Sequence, residues 1–391
     1  MSSLFEQALD DVRASRSDLS IRPDRWDTRW ALPLIEQLLR DPLRLPDVSG
    51  QWARRLSETT SSSDLMHMAA GWLRDGEQSS ELPVPQDMDD PAFRRLPFDV
   101  AAPLSAAWAS VAQAQRLLDQ AVGSLSAGQR RAALAAWQAA LTNHEDDADW
   151  DAGIETSGRF DLASLLNAAE VLTQGLDKTL PALQRSGWIA GLSEPVRIHT
   201  GLGDILLAGG AEQDFVDDDL KDVVLLVNHS DRSLYRGPVA AGTNGRIRAV
   251  IDFAPTITVN AADTSASAGA GILGIGLFYA PNPDGIKTFH TGNFSLGAGL
   301  FGVGGLFLNS SQTLLEGLDG TQGVGCFGIG ILSNPQASGS VYRARFAGQG
   351  VGFTRGVGFL QHDGSDSLFE GGLYYPDPRE PLALTSLCQG V

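Results

Sequence analysis

The chain has 391 residues, of which 43% are apolar and 19% are charged, a composition typical of a folded protein rather than a disordered one. The length exceeds what a single hydrophobic core usually serves and predicts two domains. Acidic residues outnumber basic residues by 47 to 29, which gives a formal net charge of -18. Because neither half carries the excess of Lys and Arg that contacts phosphates, the composition argues against a nucleic-acid partner.

The cysteines and the N-terminus bear on the compartment. The two cysteines, Cys326 and Cys388, fall at different phases of the repeat described below, which predicts free thiols. The first residues show neither a basic start nor an apolar run, so no secretory signal is predicted and a cytoplasmic location is expected. Export without a leader stays open.

The first half of the chain, residues 1–195, is predicted to be an α-helical domain, because its apolar residues recur at intervals of three and four. Three segments show this pattern: Trp26–Leu39 with Trp30, Leu34, Ile35 and Leu38; Ser126–Leu141, which starts on an N-cap serine and continues through Ala133, Leu134, Trp137 and Leu141; and Phe160–Leu183 with Leu165, Ala168, Leu172 and Leu176. All eight tryptophans lie in this half and are interpreted as core residues.

Motifs that carry chemistry are sparse. The acidic segment Glu145–Asp151, beside His144, matches neither an EF-hand nor an HExxH pair and is interpreted as a solvated loop. No two of the six histidines have metal-ligand spacing, and no Walker A motif or GxSxG elbow occurs. The sequence therefore predicts no cofactor, no metal and no enzymatic activity.

In the second half of the chain, residues 196–391, a Gly-x-Gly-x-x-Gly pattern occurs three times. Its copies begin at Gly269, Gly297 and Gly323, at offsets of 28 and 26 residues. One copy alone would resemble a dinucleotide-binding loop, but three copies in step cannot each open a Rossmann unit. A period in this range indicates stacked repeats.

Short β-prone segments share this rhythm, and each carries one apolar anchor. The anchors form a predicted structural spine: Leu207, Tyr235, Val259, Phe289, Leu315, Tyr342 and Phe369. A second apolar run follows most anchors, so that two strands and two corners in about 27 residues predict one coil of a β-helix. We therefore predict an α+β multidomain protein, in which residues 196–391 form a Gly-rich parallel β-solenoid after the helical domain.

Three short units look like degenerate copies of a Gly-Asp-Asp-x-Tyr repeat: Ser230–Tyr235, Gly339–Tyr342 and Gly364–Phe369. Residues 197–391 thereby resemble a poorly characterised group of bacterial proteins with tandem Gly-rich β-solenoid repeats. The resemblance implies a solenoid and brings no established activity. Most paired aspartates of that repeat are missing here, and the carboxylates of a calcium-binding nonapeptide repeat are missing too, so no bound calcium is expected.

One stretch of the repeat region is nearly free of charge. Between Asp263 and Arg343 the formal charges are Asp284, Lys287, Glu316 and Asp319. A membrane-inserting segment is one interpretation. Strand-like alternation and frequent glycines favour a buried solenoid instead, so a membrane partner remains the less favoured alternative.

Two places are predicted to form an interaction surface. The first is the polar corner with His362, Asp363 and Asp366, whose acids would also suit a carbohydrate-active β-helix. The chemistry of an ordinary turn explains the same residues without a function. The second is an insertion at 373–385, where about 13 residues exceed the 27-residue rhythm; its candidate contact residues are Tyr374, Tyr375 and Arg379. This loop would equally serve as a cap over the spine.

Three functions follow as hypotheses. The first is a non-enzymatic structural or interaction protein that assembles through an open solenoid end with itself or with a protein partner. The second is a membrane-active protein that uses the stretch 264–342. The third is a carbohydrate-binding or carbohydrate-active β-helix.

Overall fold

The computed structural model describes residue 13 and residues 33–74, 91–142, 150–372, 375–377, 380–385 and 388. Within these ranges helices come first and a parallel β-solenoid follows, as the sequence predicts. The helices are α1 (Pro33–Arg40), α2 (Leu45–Glu58), α3 (Ser62–Leu73), α4 (Phe98–Gly123), α5 (Ala127–Leu141), α6 (Trp150–Ser157), α7 (Leu162–Gln184), α8 (Gly187–Ala190) and α9 (Asp217–Leu220), with 3-10 turns at Pro42–Arg44 and Pro91–Arg95.

The strands belong to four sheets, and the three large ones form the solenoid. Sheet A contains β1 (Val196–Thr200), β2 (Gly203–Ala208), β4 (Val223–Asn228), β7 (Ile247–Asp252), β10 (Ile275–Ala280), β13 (Val303–Leu308), β16 (Ile329–Ser333) and β18 (Val357–Gln361). Sheet B contains β3 (Glu212–Val216), β5 (Arg232–Arg236), β8 (Thr256–Ala261), β11 (Ile286–Thr291), β14 (Gln312–Thr321), β17 (Val341–Gly348) and β19 (Leu368–Gly371). Sheet C contains β6 (Gly242–Thr243), β9 (Gly271–Ile272), β12 (Gly299–Leu300) and β15 (Gly325–Cys326), and the fourth sheet pairs β20 (Tyr375–Asp377) with β21 (Glu380–Thr385).

The helices form where the sequence predicts them. Ser126 caps α5 by accepting a hydrogen bond from the Gln129 amide, and Asp161 caps α7 by accepting one from the Ser164 amide. Leu165 and Leu172 of α7 are fully buried at helical spacing. One residue of the predicted apolar faces is wrong, since Ile35 of α1 is 42% exposed. Residues 26 and 30 of that segment, and the acidic loop 145–149, lie outside the described residues.

The four middle coils of the solenoid have three sides, which corrects the predicted two. The chain runs from a strand of sheet A to a strand of sheet B and then through a two-residue strand of sheet C, as in β10, β11 and β12. The second apolar runs of the sequence are the sheet A strands. The sequence does not reveal the third side, because each sheet C strand consists of one glycine and the residue that follows it.

The spine exists on the inner side of sheet B. Consecutive strand registers place six of the seven predicted anchors opposite one another, each in the next coil: Tyr235, Val259, Phe289, Leu315, Tyr342 and Phe369. The seventh, Leu207, is wrong: it pairs with Val227 in sheet A. Phe215 takes its place, since its ring stacks on Tyr235 with centroids 5.0 Å apart.

The recurring glycines are needed because adjacent coils approach closely. A Cβ atom on Gly299 would lie 2.1 Å from the Ile329 carbonyl oxygen of the next coil, which is closer than any side chain tolerates. Gly297 in addition has φ = +80°, in the left-handed region that favours glycine. The pattern therefore encodes close stacking rather than a nucleotide-binding loop.

The helices cover sheet A and the corner at sheet C. Strands β4, β10 and β13 of sheet A are buried at every position, unlike a sheet with one wet face. Their outward residues pack against the helices in one hydrophobic core, to which Leu207 belongs. At the corner, Phe301 meets Phe160 edge-on with centroids 5.4 Å apart. The inward residues form a second core inside the solenoid.

The two ends of the solenoid differ from its middle. At the first end β1 pairs antiparallel with β2 and so departs from the parallel order. At the other end the chain leaves the coil and forms the β20–β21 hairpin, within the predicted insertion. It then returns to a solenoid position, because Cys388 forms a parallel bridge with Gly348, 40 residues earlier.

Candidate interaction surface on sheet B

The outer side of sheet B, which we call the sheet B face, alternates with the buried spine. In β5, β8 and β11 every second residue is buried while its neighbours are half-buried or exposed. Because the coils are in register, outward residues form rows that run across the strands. Along each strand the outward residues alternate with the inward anchor residues. This alternation was the sequence signal that would have located the outward rows.

The middle row of the sheet B face is largely apolar or β-branched. In six consecutive strands its members are Leu234, Thr258, Thr288, Leu314, Val341 and Leu368, and in the seventh strand, β3, the same register position is held by Asp214. Leu368 is 47% exposed, and Ile286 in the neighbouring row is 52% exposed. The row therefore leaves apolar surface in contact with water along the length of the solenoid.

A second row of the face carries charge, and we call it the charged row. Its members, in strand order, are Arg236, Asn260, His290, Glu316, Arg343 and Glu370. Glu316 lies 2.6 Å from His290 Nδ1 and accepts a hydrogen bond of 2.7 Å from Arg343 Nη1. Arg343 also donates to Glu370. These contacts join four successive coils.

The environment of Glu316 keeps its carboxylate ionised. Hydrogen bonds from Arg343 and His290 hold the pKa of Glu316 below its ordinary value, against the opposing effect of partial burial. Exposed ion pairs of this kind add little to stability, typically about 0–1 kcal/mol each. Their arrangement matters more for what the face can bind than for the fold.

Inside the solenoid a buried polar cluster lies at the corner between sheets A and B. The Tyr235 hydroxyl donates to Asp252 Oδ2 at 2.7 Å, and Asn228 Nδ2 donates to Asp252 Oδ1 at 3.1 Å. Burial raises the pKa of Asp252 and that of Tyr235. Because Asp252 and Tyr235 are fully buried, this cluster can stabilise the corner but cannot meet a substrate.

Lys287, one of the four charged residues between Asp263 and Arg343, faces inward, which the sequence did not predict. Its Nζ donates to the carbonyl oxygens of Ala254, Pro255 and Asp284 at 3.1, 2.6 and 2.9 Å. The side chain is fully buried, and desolvation lowers its pKa to about 8. The ammonium group therefore satisfies the carbonyls of a turn between two coils, and its even spacing from Phe289 was the available clue.

The predicted interaction residues are only partly placed together. His362, Asp363 and Asp366 share the loop between β18 and β19. The His362 ring lies edge-on to Tyr342 and Phe369, with centroids 5.5 and 5.3 Å away, and its burial lowers its pKa. It thus covers the spine rather than standing free.

Asp363 and Asp366 are exposed, and Asp366 has φ = +56°. Tyr375 lies in β20, whereas Tyr374 and Arg379 lie outside the described residues.

A cleft of about 340 Å³ lies where sheet A strands end against the helices. Tyr279 and Phe307 line one side, and Asp177 of α7 lines the other. Asp177 already accepts hydrogen bonds from the Ser62 hydroxyl and the Ser63 amide at 2.6 and 2.7 Å. Its carboxylate therefore serves the start of α3, where the helix dipole favours a negative charge.

The described residues contain no group of three or more His, Cys, Asp or Glu side chains placed to hold a metal ion. The Cys326 thiol is free, as predicted, and burial raises its pKa. Among the helices of the described ranges, none combines the length and hydrophobicity needed to span a bilayer. Comparison with protein-family models, curated proteins and solved structures finds no match to this chain.

Proposed function

We propose that the protein is a non-enzymatic structural or interaction protein that assembles through its solenoid, with the sheet B face as the contact surface. The observation that carries this proposal is the difference in burial between the outer side of sheet A and the outer side of sheet B. Helices bury the outer side of sheet A, whereas the outer side of sheet B is left to solvent in the described part of the chain. The occupant of the face is a second copy or another protein.

The face has properties that suit binding. It is part of a continuous hydrogen-bonded sheet, so its side chains stand at fixed spacings before a partner arrives. A preorganised surface loses little conformational entropy on association. An apolar row bordered by ionic residues also matches the usual anatomy of an interface, in which an apolar centre is surrounded by polar groups.

The two alternative functions receive less support. The stretch 264–342 supplies buried strands of sheet A and inward residues of sheet B, so burial accounts for its low charge. For a carbohydrate-active site, Asp363 and Asp366 lie on an exposed loop, and Glu370 is engaged by Arg343. These observations favour a contact surface over membrane insertion or glycoside chemistry.

Photo-crosslinking in the native host tests the proposal. Benzoylphenylalanine replaces Leu314 in the centre of the face, and a matched chain carries it at Phe98, an aromatic residue on α4 that is 85% exposed. We expect a discrete adduct from position 314, with the chain itself or with one other protein, and none from position 98. An adduct pattern that is the same at both positions, or absent at 314, contradicts the proposal.

A further inference from the structure

We propose that the partner of the sheet B face is a second copy of this chain, joined face to face about a two-fold axis parallel to the strands. This inference rests on the proposed function and names its partner. Such an axis keeps each row opposite the same row of the partner while it reverses the order of the coils. A two-fold interface must be self-complementary under that reversal.

The charged row meets this requirement. With the axis between β11 and β14, Arg236, which already forms an ion pair with Asp214 of its own β3, lies opposite the partner's Glu370. His290 lies opposite the partner's Glu316. Each pairing occurs twice by symmetry, and the pairing of Arg236 with Glu370 joins groups of opposite charge. Asn260 lies opposite the partner's Arg343, to which its amide oxygen can accept a hydrogen bond.

The middle row is complementary under the same operation. Leu234 lies opposite the partner's Leu368, Thr258 opposite the partner's Val341, and Thr288 opposite the partner's Leu314. Apolar groups therefore meet apolar or β-branched groups at every step. This burial supplies the non-specific part of the attraction, while the charged row fixes the register.

Other face-to-face arrangements bring like charges together. A slip of one coil places either Glu316 opposite itself or Arg236 opposite the partner's Arg343. A two-fold axis along the stacking direction instead places Arg236 opposite the partner's Arg232, since the two lie on opposite sides of Leu234 in β5. Like-charge contacts of this kind disfavour the wrong register.

The size of the face suits a weak dimer. The face is six strands wide, at about 4.8 Å per strand, and about five residues long, at about 3.3 Å per residue. Its area is therefore about 500 Å² per copy, or about 1,000 Å² in total. This area lies at the lower limit of specific interfaces. We therefore expect dimerisation that depends on concentration and weakens with salt.

Charge exchange tests the pairing of Arg236 with Glu370. Sedimentation equilibrium is measured for the wild type, Arg236→Glu, Glu370→Arg, the double variant, and an equimolar mixture of the two single variants. Each single variant creates two like-charge contacts, so we expect its dimer to weaken by at least about 10-fold. The double variant and the mixture restore opposite charges and should return to within about 3-fold of the wild type.

The mixture is the decisive sample, because mixing does not restore the intramolecular contacts that each single variant has lost. Tighter dimers in the mixture therefore come from contacts between the two chains. Glu155→Arg, an exposed charge reversal on α6, is the matched control and should dimerise like the wild type. Thermal unfolding of each variant shows that the fold is intact. A monomeric wild type, unchanged single variants, or a mixture no tighter than its components overturns the inference. An adduct with a different protein at position 314, together with a monomeric wild type, would leave the proposed function standing and remove only this partner.

Discussion

The Tyr279 hydroxyl lies 2.8 Å from Ser62 Oγ, and the contact joins the solenoid to the helices. Ser62 uses its single proton to donate to Asp177 Oδ1 at 2.6 Å, so it accepts from Tyr279. Strand β10 is thereby linked through α3 to α7. Burial and the Asp177 charge raise the pKa of Tyr279, which keeps the hydroxyl protonated and able to donate.

Replacement of this tyrosine tests how far the link holds the two halves together. We expect Tyr279→Phe to lower the free energy of unfolding by about 0.5–1.5 kcal/mol, because one buried hydrogen bond is lost. Ser62→Ala should cost more, about 1–3 kcal/mol, since it leaves the Tyr279 hydroxyl and Asp177 without their shared partner. Urea unfolding measures both. Equal stability of Tyr279→Phe and the wild type would show that the link contributes nothing.

The spine predicts a sharp difference between two adjacent residues of β11. Phe289 is fully buried between Val259 and Leu315, so Phe289→Ala should destabilise the protein by about 3–5 kcal/mol. Thr288→Ala changes the sheet B face and should cost less than about 1 kcal/mol. Chemical denaturation of the two variants under the same conditions makes the comparison. Similar losses at both positions would contradict the inward and outward assignment.

The repeated glycines predict opposite effects of one substitution at two sites. Gly299→Ala places a Cβ atom 2.1 Å from the Ile329 carbonyl, so we expect a loss of at least about 1–3 kcal/mol. Gly50 lies in α2 with nothing within 4 Å of the added atom, and Gly50→Ala should instead stabilise the helix by about 0.5–1 kcal/mol. We expect the melting temperature of Gly299→Ala to fall below that of the wild type and that of Gly50→Ala to rise above it. A neutral Gly299→Ala variant would mean that the coils stack less closely.

Lys287 gives the protein a specific dependence on pH. Its folded pKa of about 8 lies below the ordinary value of 10.5 for a free lysine. Between these values the unfolded chain holds the proton that the folded chain has released, so the free energy of unfolding rises with pH in this window. The contribution is complete above about pH 10.5 and absent below about pH 8.

The variant Lys287→Met removes this titration. It also leaves three carbonyl oxygens without a donor, so the variant should be less stable at pH 7. The difference in unfolding free energy between wild type and variant is measured from pH 7 to pH 10.5. We expect the wild type to gain stability relative to the variant across this range. A constant difference would place the pKa of Lys287 at its ordinary value.

The sequence predicts much of the solenoid because each coil repeats the same physical demands. Glycine marks the close approaches, and the anchor of β11 stacks on that of β14, so the period is visible without coordinates. Leu207 was misassigned because helices cover sheet A, which makes its outward residues as apolar as inward ones. The first coil also runs only 20 residues from Phe215 to Tyr235, and this breaks the period.

The candidate surface was harder to predict. Outward rows combine residues from six coils, and no local segment shows their sum. Thr288 and Leu314 are unremarkable in the sequence and become one surface only through the register of β11 and β14. The predicted contact residues were chosen for local polarity, and His362 proved to cover the spine instead.

The continuity of the sheet B face underlies both proposals, and a distance measurement tests it. Spin labels are attached at Leu234→Cys and Leu368→Cys, with Cys388 replaced by Ser and unlabelled protein added in excess so that distances within one chain dominate. Five strand spacings of about 4.8 Å predict a backbone separation of about 24 Å, and labels at Leu234 and Val341 should lie about 5 Å closer. A broad distribution centred beyond about 35 Å, or no shortening with the second pair, would contradict the stacked face and the proposals made from it.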